Sequence, residues 1–310
     1  MKDTERTASG PPGYAGRYVR TAPADAEAAA VLAGWAASER DVTLAAPYLD
    51  LSGADLSGAD LGCALLCPST AHGIVLKDAD LYRANLGRSD LTGAVLTGAC
   101  LVKAELTETV LRDADLTGAD LGSADLYAVD ARRACFAGAR LNGASLLGAT
   151  LLEGADLRGA RVSRTSFRVV LDGSTRLEGL RGSVYGPAYV SGSGGRRELA
   201  GLALELWLAE RGATVEVLNS PADTTTYYGR VGDGFSRDAP AGVVRRRRAG
   251  NVVRDEAFTR NLRWQSTEYL RRYELGHNGD DHVEITEAEA DAFVRRITRK
   301  LGAGDPPADT

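Results

Sequence analysis

The sequence predicts a mainly β protein whose central part is a coil that turns a corner every five residues. Leucine recurs at every fifth position, and a small residue stands two places before it, as Ala54 does before Leu56. A period of five matches neither the 3.6-residue turn of a helix nor the alternation of a strand. Four corners would close one coil, with the leucine and the small residue packed inside. The leucines of the main series are Leu51, Leu56, Leu61, Leu66, Leu76, Leu81, Leu86, Leu91, Leu96, Leu101, Leu106, Leu111, Leu116, Leu121 and Leu126.

The repeat unit reads A-D/N-L-x-x and resembles that of the pentapeptide-repeat family over residues 44–180. The resemblance implies a right-handed quadrilateral β-helix of about six coils, about 29 Å long at ~4.8 Å per coil. The phase of five runs from Leu51 to Leu151 and then slips by one residue before Leu157. We expect a bulge at a corner to absorb this slip.

Residues 1–43 are predicted to contain a disordered N-terminus and a helix that caps the open first coil. Residues 23–40 are alanine-rich, with an apolar stripe at Val31, Leu32 and Trp35. A terminal helix would cover the unpaired strand edges of that coil. The chain shows neither an apolar run of membrane-spanning length nor a secretory signal, so we expect a cytoplasmic protein with no membrane contact.

The four cysteines lie within the repeat and lack the paired spacing of a zinc site. Cys63, Cys67 and His72 could be read as three metal ligands, but a fourth is missing and a coil sends these positions in different directions. We therefore predict free thiols, no metal and no cofactor. The other two cysteines are Cys100 and Cys135.

Residues 181–303 are predicted to form a small α/β module, and residues 304–310 a disordered tail. A strand near Val184, a glycine-rich turn, a helix around Trp207 and a strand at 214–218 suggest a β-α-β unit. Glycines between a strand and a helix can let backbone amides approach a phosphate. The alternative nucleotide site would consist of Ser191, Gly192, Gly194 and Gly195.

The glycine-rich turn also resembles the opening of a Toll/interleukin-receptor domain. The similar residues are Tyr189 through Arg196, and some domains of that family cleave NAD with a glutamate on a later helix. No motif places that glutamate here, and the run lacks the full G-x-G-x-x-G fingerprint of a dinucleotide site. An NAD-cleaving or nucleotide-binding module, with the solenoid as a targeting arm, is thus the alternative function.

The remainder of the module predicts a turn-rich loop, an arginine run and two helices. The loop covers 220–240, and one helix is expected to contain Phe258, Leu262, Tyr269, Leu270 and Tyr273. A capping box at Thr286 and Glu289 begins the other, whose buried face comprises Ala290, Phe293, Val294 and Ile297. We interpret the run 245–248 as a solvated stretch, and the segment 277–282, with two histidines, as a turn rather than a metal site.

Function is predicted from the residue before each central leucine, since that residue points outward. Taking every fourth repeat places Asp60, Asp80 and Asp120 on one face, and Asp50, Asp90 and Asp130 on another. Residues 44–130 have thirteen acidic and five basic residues, whereas 131–180 have four acidic and eight basic. From residue 181 onward nineteen basic residues balance nineteen acidic ones, which argues against direct binding of nucleic acid.

The prediction is a non-enzymatic scaffold whose acidic, rod-like surface binds a protein partner through these six aspartates. In the family that the repeat resembles, quinolone-resistance members mimic a DNA duplex and bind DNA gyrase in its place. Rows of carboxylates can stand in for phosphates and attract a basic DNA-binding groove. The resemblance therefore implies a DNA mimic that binds gyrase or another nucleic-acid-binding protein.

Overall fold

The computed structural model is mainly β and describes residues 16–38, 42–218, 224–231, 234–249, 252–274 and 281–302. These residues divide into two compact units. The first extends to residue 200 and includes 204–218, and the second contains 201–203 and the residues from 224 onward. The predicted solenoid lies in the first unit.

The first unit is built from parallel β-bridges between residues twenty positions apart. The series begins at Ala45 with Leu65 and continues to Asp156 with Arg176. Backbone hydrogen bonds follow the same spacing, as from Leu56 N to Val75 O at 2.8 Å. One coil thus contains four pentapeptides, which agrees with the predicted stacking. The square cross-section and the right hand stay predictions.

A tight turn follows each central leucine because the five-residue unit leaves two residues for the corner. In the unit beginning at Leu51, the Ala54 amide donates to the Leu51 carbonyl at 3.1 Å, and Gly53 has φ of 71°. A positive φ at the second corner residue is the requirement of a type II turn. Glycine fills many of these positions, but Arg83 and Lys103 adopt the same backbone there.

The interior of the coils consists of leucine at the centre and alanine two places before it. Leu116 and Ala119 are fully buried, and Phe136 and Phe167 take central positions nearer the C-terminal end. Where Ser or Thr replaces alanine, its hydroxyl donates to a carbonyl of the adjacent coil, as Thr109 does to Leu86 at 2.9 Å. Packing therefore accounts for both inward positions of the repeat.

The one-residue slip lies earlier than the sequence predicts. The inward position passes from Leu146 to Leu152, each 1% exposed, while Leu151 is only half-buried. The extra residue lies between Leu146 and Thr150, where the strand pairing shifts its register. Buried Thr150 takes the inward position two places before Leu152, and its hydroxyl donates to Leu126 at 2.7 Å and Leu147 at 3.0 Å. Leucine at both 151 and 152 left the inward position ambiguous in the sequence. The hydrogen bonds of the Thr150 hydroxyl are consistent with Leu152 as the inward residue.

The N-terminal segment pairs with the first coil before helix α1, Ala26–Ala37. Thr21 bridges Asp55, and Asp25 begins the helix by accepting the Ala28 amide at 2.8 Å. Leu32 and Trp35 are buried, as the apolar stripe predicts. Arg17 donates to the Val42 carbonyl, so the N-terminal segment is also bonded to the chain that follows the helix.

Six strands and most of helix α2 end the first unit. Strand β2 is central, in the order β5-β4-β2-β3-β6 with β1 also paired to β2, and α2 precedes β6. The predicted boundary at 180 differs from this arrangement because β3 and β6 continue the parallel stacking of the coils. These elements are β1 Ser145–Leu151, β2 Arg161–Leu171, β3 Arg181–Tyr185, β4 Ala188–Gly192, β5 Gly195–Leu199, α2 Gly201–Ala209 and β6 Thr214–Leu218.

The second unit is an antiparallel sheet with a helix on one face. The strand order is β10-β9-β8-β7-β11, and α4 packs on β7 and β8. Val243, Ile285, Ala290 and Phe293 form its core. The elements are β7 Thr224–Val231, β8 Gly242–Ala249, β9 Val252–Phe258, β10 Trp264–Ser266, α3 Tyr269–Glu274, β11 Asp281–Ile285 and α4 Glu287–Gly302.

Two predictions for this unit are wrong and one is confirmed. Part of the expected loop 220–240 is strand β7, and the helix expected to run from Phe258 is replaced by β9, β10 and the short α3. Long-range strand pairing overrides the weak helical spacing of the aromatics. The capping box is confirmed, since Thr286 accepts the Glu289 amide at 3.2 Å and Glu289 accepts the Thr286 amide at 2.6 Å.

Some predictions concern residues that the structure does not describe. They are the order of residues 1–15, the tail 304–310 and most of the histidine-containing segment 277–282.

Candidate functional site

The six predicted aspartates lie in two columns on the solenoid. Asp60 bridges Asp80, and the same column continues through Cys100 to Asp120. The other column links Asp50, Thr70, Asp90, Val110 and Asp130. The structure therefore aligns each set of three carboxylates along the stack.

Each of these aspartates has a local structural role at its corner. One carboxylate oxygen accepts the amide of the residue two places on, at 2.9 Å for Asp50 with Ser52 and for Asp80 with Tyr82, and at 3.1 Å for Asp60 with Gly62. This Asx-type bond satisfies an amide at the turn. The repeat consensus for Asp or Asn thus has a structural cause, and the Oδ2 atom remains available for other contacts.

Three of the aspartates use that second oxygen to contact a basic side chain within the solenoid. Asp90 Oδ2 lies 3.0 Å from His72 Nε2, and Asp120 Oδ2 lies 3.3 Å from Arg140 Nε. Asp130 pairs with Arg112 at 2.6 Å and Arg132 at 2.7 Å. Burial alone would raise the pKa of Asp130, but hydrogen bonds from Arg132 and Arg112 outweigh it and lower that pKa to about 2.

The other three aspartates, Asp50, Asp60 and Asp80, form no ion pair with another described residue. Hydrogen bonding from Ser52 lowers the pKa of Asp50, which keeps this carboxylate charged. The columns predicted as uniform acidic rows therefore differ along their length. The uncompensated charge lies at the N-terminal coils, because most of the compensating arginines stand in later repeats.

The C-terminal coils present basic groups on the column that begins at Asp60. Arg140 bridges Arg161, which in turn is paired with Arg181 across the next coil. All three are exposed, and Arg164 lies at the adjoining corner. This face of the rod therefore shows the charge asymmetry that the sequence indicates.

The glycine-rich turn connects two strands and not a strand and a helix. Ser191, Gly192 and Gly195 belong to the antiparallel hairpin of β4 and β5, with Gly194 in its turn, whereas α2 begins only at Gly201. The Ser191 hydroxyl donates to Glu153 at 3.2 Å. The predicted order of strand, glycines and helix is therefore wrong, because an additional strand separates the glycines from the helix.

The cysteines are free thiols, as the sequence predicts. Burial raises the pKa of Cys67 and Cys100, so both thiols stay protonated near neutral pH. Over the described ranges no cluster of histidine, cysteine and carboxylate side chains has the arrangement of a metal site.

A buried ionic network in the second unit was missed by sequence reasoning. Arg245 and Arg246 lie in β8 opposite Glu256 and Asp255 of β9, with N–O distances of 2.7 Å for each pair. Arg246 also pairs with Glu274 of α3, and the Arg245 guanidinium lies over the Trp264 ring. The signal was the Asp255-Glu256 pair, which begins seven residues after the end of the arginine run, at hairpin distance. The run is therefore not a solvated stretch throughout.

Comparison with known proteins identifies the solenoid. A family model described as pentapeptide repeats matches residues 74–113, 111–148 and 134–168, in eight copies. This part of the chain is a pentapeptide-repeat domain. No curated protein matches the chain. Among the described helices, none combines the length and apolarity that crossing a membrane requires.

Solved structures of other pentapeptide-repeat proteins are similar to parts of this chain. A trypsin-treated variant of QnrB1, a plasmid-mediated fluoroquinolone resistance protein, is 16% identical over 46% of this chain and 72% of that one, with a TM-score of 0.36. HetL, involved in heterocyst differentiation regulation in the cyanobacterium Nostoc sp. strain PCC 7120, is 29% identical over 48% and 90%, with a TM-score of 0.24. A thylakoid lumen protein of Arabidopsis thaliana is 30% identical over 36% and 63%, with a TM-score of 0.16.

Proposed function

We propose that this protein is a non-enzymatic, cytoplasmic scaffold that uses its N-terminal coils to bind a basic, DNA-binding surface of another protein, such as that of the type II topoisomerase DNA gyrase. The observation that supports this proposal is the set of uncompensated, oriented carboxylates at Asp50, Asp60 and Asp80. No cofactor takes part.

The turn geometry prepares these carboxylates for binding. Because Oδ1 of each is held by a backbone amide, the side chain loses little freedom when Oδ2 meets a partner cation. Asp60 and Asp80 lie one coil apart, at ~4.8 Å, on a rigid parallel stack. A partner with a row of lysines or arginines would be attracted at long range and would bind less tightly as salt increases.

The kind of partner follows from the charge pattern together with the family resemblance. A groove that binds DNA presents basic groups in rows, and aligned carboxylates can occupy it in place of phosphates. Gyrase is proposed because quinolone-resistance members of the resembled family bind it, and this fold-level analogy acts as a prior. The carboxylates at Asp90, Asp120 and Asp130 contribute less, since each already contacts a basic side chain of the solenoid.

The test is a gyrase supercoiling assay with and without a quinolone, using the full chain and two triple variants. Asp50→Asn, Asp60→Asn and Asp80→Asn together remove the uncompensated charge while keeping an oxygen for each turn amide. Asp90→Asn, Asp120→Asn and Asp130→Asn together change the formal charge equally at the paired positions. We expect the parent to inhibit supercoiling or to protect the enzyme from the drug, and the first triple variant to lose at least tenfold in potency.

Two outcomes would contradict the proposal. One is the absence of any effect of the parent chain at low salt. The other is an equal loss of potency in both triple variants, which would mean that net charge rather than the uncompensated positions determines binding.

A further inference from the structure

One face of the solenoid changes sign along its length. Its middle column reads Asp60, Asp80, Cys100, Asp120, Arg140 and Arg161, one residue per coil, and Arg181 follows beyond these six coils. We call this surface, with the corners on either side, the Asp60–Arg161 face. The two ends therefore have opposite charge, while the spacing between successive groups is the same throughout.

The same face also changes in side-chain size. At the corner that follows the column, the coils of Asp80 and Cys100 present Tyr82, Arg83, Val102 and Lys103. The next two coils present only small or short side chains at the equivalent positions, which are Gly122, Ser123, Asn142 and Gly143. Arg83, Lys103, Ser123 and Asn142 are all exposed. One half of this corner thus carries large side chains, and the other half carries small ones.

We propose that two copies of this chain associate through the Asp60–Arg161 face with their solenoids antiparallel. A two-fold axis in the interface, passing between Cys100 and Asp120, brings each column against the same column of the second copy in reverse order. Asp60 then faces Arg161, and Asp80 faces Arg140, in both directions. Six coils contribute, over ~24 Å at the usual strand spacing.

The corner columns fit the same register. Tyr82 faces Asn142, Val102 faces Gly122, and the long side chains of Arg83 and Lys103 face Gly143 and Ser123. Large side chains thus meet small ones at four positions on each side of the axis. This size match is independent of the charge match, and both select one register.

The side chains at the other corner of the face are also compatible with this register. Lys77 and Asp78 face Ala137 and Gly138, and Thr97 faces Thr117. No position places two side chains of like charge directly opposite each other, which would oppose association. Shifting the register by one coil in either direction loses this property or the size match. In one direction the shift sets Arg83 against Arg164, and in the other it sets Lys103 against Lys103 of the second copy.

A second copy fits this face better than a uniformly charged partner does. A basic groove complements the coils of Asp60 and Asp80 but is repelled by Arg140 and Arg161. A polyanion complements only the arginine end. The chain itself offers both signs at the same one-coil spacing, since the complementary groups come from the same column.

The experiment measures the mass of the full chain in solution by light scattering and sedimentation, at 50 mM and 500 mM salt. We expect a species of about twice 32.6 kDa at low salt and at least a tenfold weaker dimer at high salt. The acid-reversed variant combines Asp60→Lys with Asp80→Lys, and the base-reversed variant combines Arg140→Glu with Arg161→Glu. Each alone is expected to be monomeric, because every designed pair becomes repulsive.

Mixing the two variants provides the decisive test, since all four charge pairs between an acid-reversed copy and a base-reversed copy are of opposite sign. We expect the mixture to form more dimer than either variant alone. The steric variant Asn142→Trp places a large side chain opposite Tyr82 of the second copy. It should also be monomeric, with an unchanged circular dichroism spectrum. The matched control combines Glu105→Lys with Asp125→Lys on a different face and should stay dimeric.

The proposal is overturned if the parent is monomeric at all concentrations and salts. It is equally overturned if the parent dimer survives both charge reversals and Asn142→Trp, because association would then use another surface. The inference does not depend on the proposed function. A dimer without effect on gyrase, or a gyrase inhibitor that stays monomeric, would separate the two.

Discussion

Replacing Asp130 with asparagine tests how much one inter-coil ion pair stabilises the solenoid. Asp130 pairs with Arg112 from the preceding coil and with Arg132 beyond its own turn, and only 14% of its side chain is exposed. Its pKa falls from 3.8 to about 2 on folding. That difference corresponds to about 2 kcal/mol of stability at neutral pH, at about 1.4 kcal/mol for each factor of ten.

The pH dependence follows from the sign of this shift. Because the folded protein binds the proton less tightly than the unfolded chain, the stabilisation is complete above pH 3.8 and decreases as the pH falls toward about 2. Asp130→Asn should therefore lower the free energy of unfolding by about 2 kcal/mol at pH 7 and by clearly less near pH 2.5. Asparagine can still accept the Arg132 amide, so the turn itself is kept.

The assay is urea unfolding followed by circular dichroism, with Asp50→Asn as the control. Asp50 has the same turn contact but no ion pair with a described residue. Its substitution should have a smaller effect than that of Asp130 at pH 7. An equal loss from both variants, or a loss from Asp130→Asn that does not change between pH 7 and pH 2.5, would refute the reasoning.

Two further substitutions test the C-terminal part of the first unit and the second unit. Gly182 has φ of 127°, and an added Cβ would lie 1.6 Å from the Val162 carbonyl oxygen. Gly182→Ala should therefore lower the free energy of unfolding in urea by at least ~3 kcal/mol. The control is Gly192→Ala, which adds its Cβ in open space and should leave that free energy nearly unchanged. In the second unit, Arg246→Ala leaves Asp255, with 8% of its side chain exposed, without its main partner and should cost ~3–5 kcal/mol in thermal unfolding. Arg271→Ala, which removes a pair that is 72% exposed on the arginine side, is the control and should change stability by less than ~0.5 kcal/mol. An effect of Arg271→Ala as large as that of Arg246→Ala would contradict the burial argument.

The solenoid was predictable because its pattern is local and repeated. Leu116 and Ala119 each recur in equivalent surroundings, so the spacing of five identifies both inward positions without knowledge of other coils. The slip at Thr150 was placed wrongly because two adjacent leucines satisfy the pattern equally well, and only a hydroxyl bond to the adjacent coil distinguishes them. The pattern thus predicts the repeat better than its irregularities.

The C-terminal half was harder because its contacts join residues distant in sequence. Gly192 to Gly195 form the hairpin between β4 and β5, a role that depends on pairing of the flanking residues and not on the glycines themselves. The arginine run gave no strand signal, since a strand with Arg245 and Arg246 half or fully buried is possible only when Glu256 and Asp255 lie opposite. Cross-strand partners of this kind are not evident from a single segment.

The candidate site shows why acidic residues in a repeat cannot be counted as a surface without their neighbours. Every aspartate of the two columns satisfies a turn amide, so its presence has a structural cause and says little about binding. What distinguishes Asp60 and Asp80 from Asp120 is whether a later coil supplies an arginine within reach. In the proposed dimer that arginine comes from the second copy, so self-association would complete for Asp80 the pairing that Arg140 already provides for Asp120. A basic partner would then compete with the second copy for the same two carboxylates, and the dimer would hold the binding surface covered until such a partner is present.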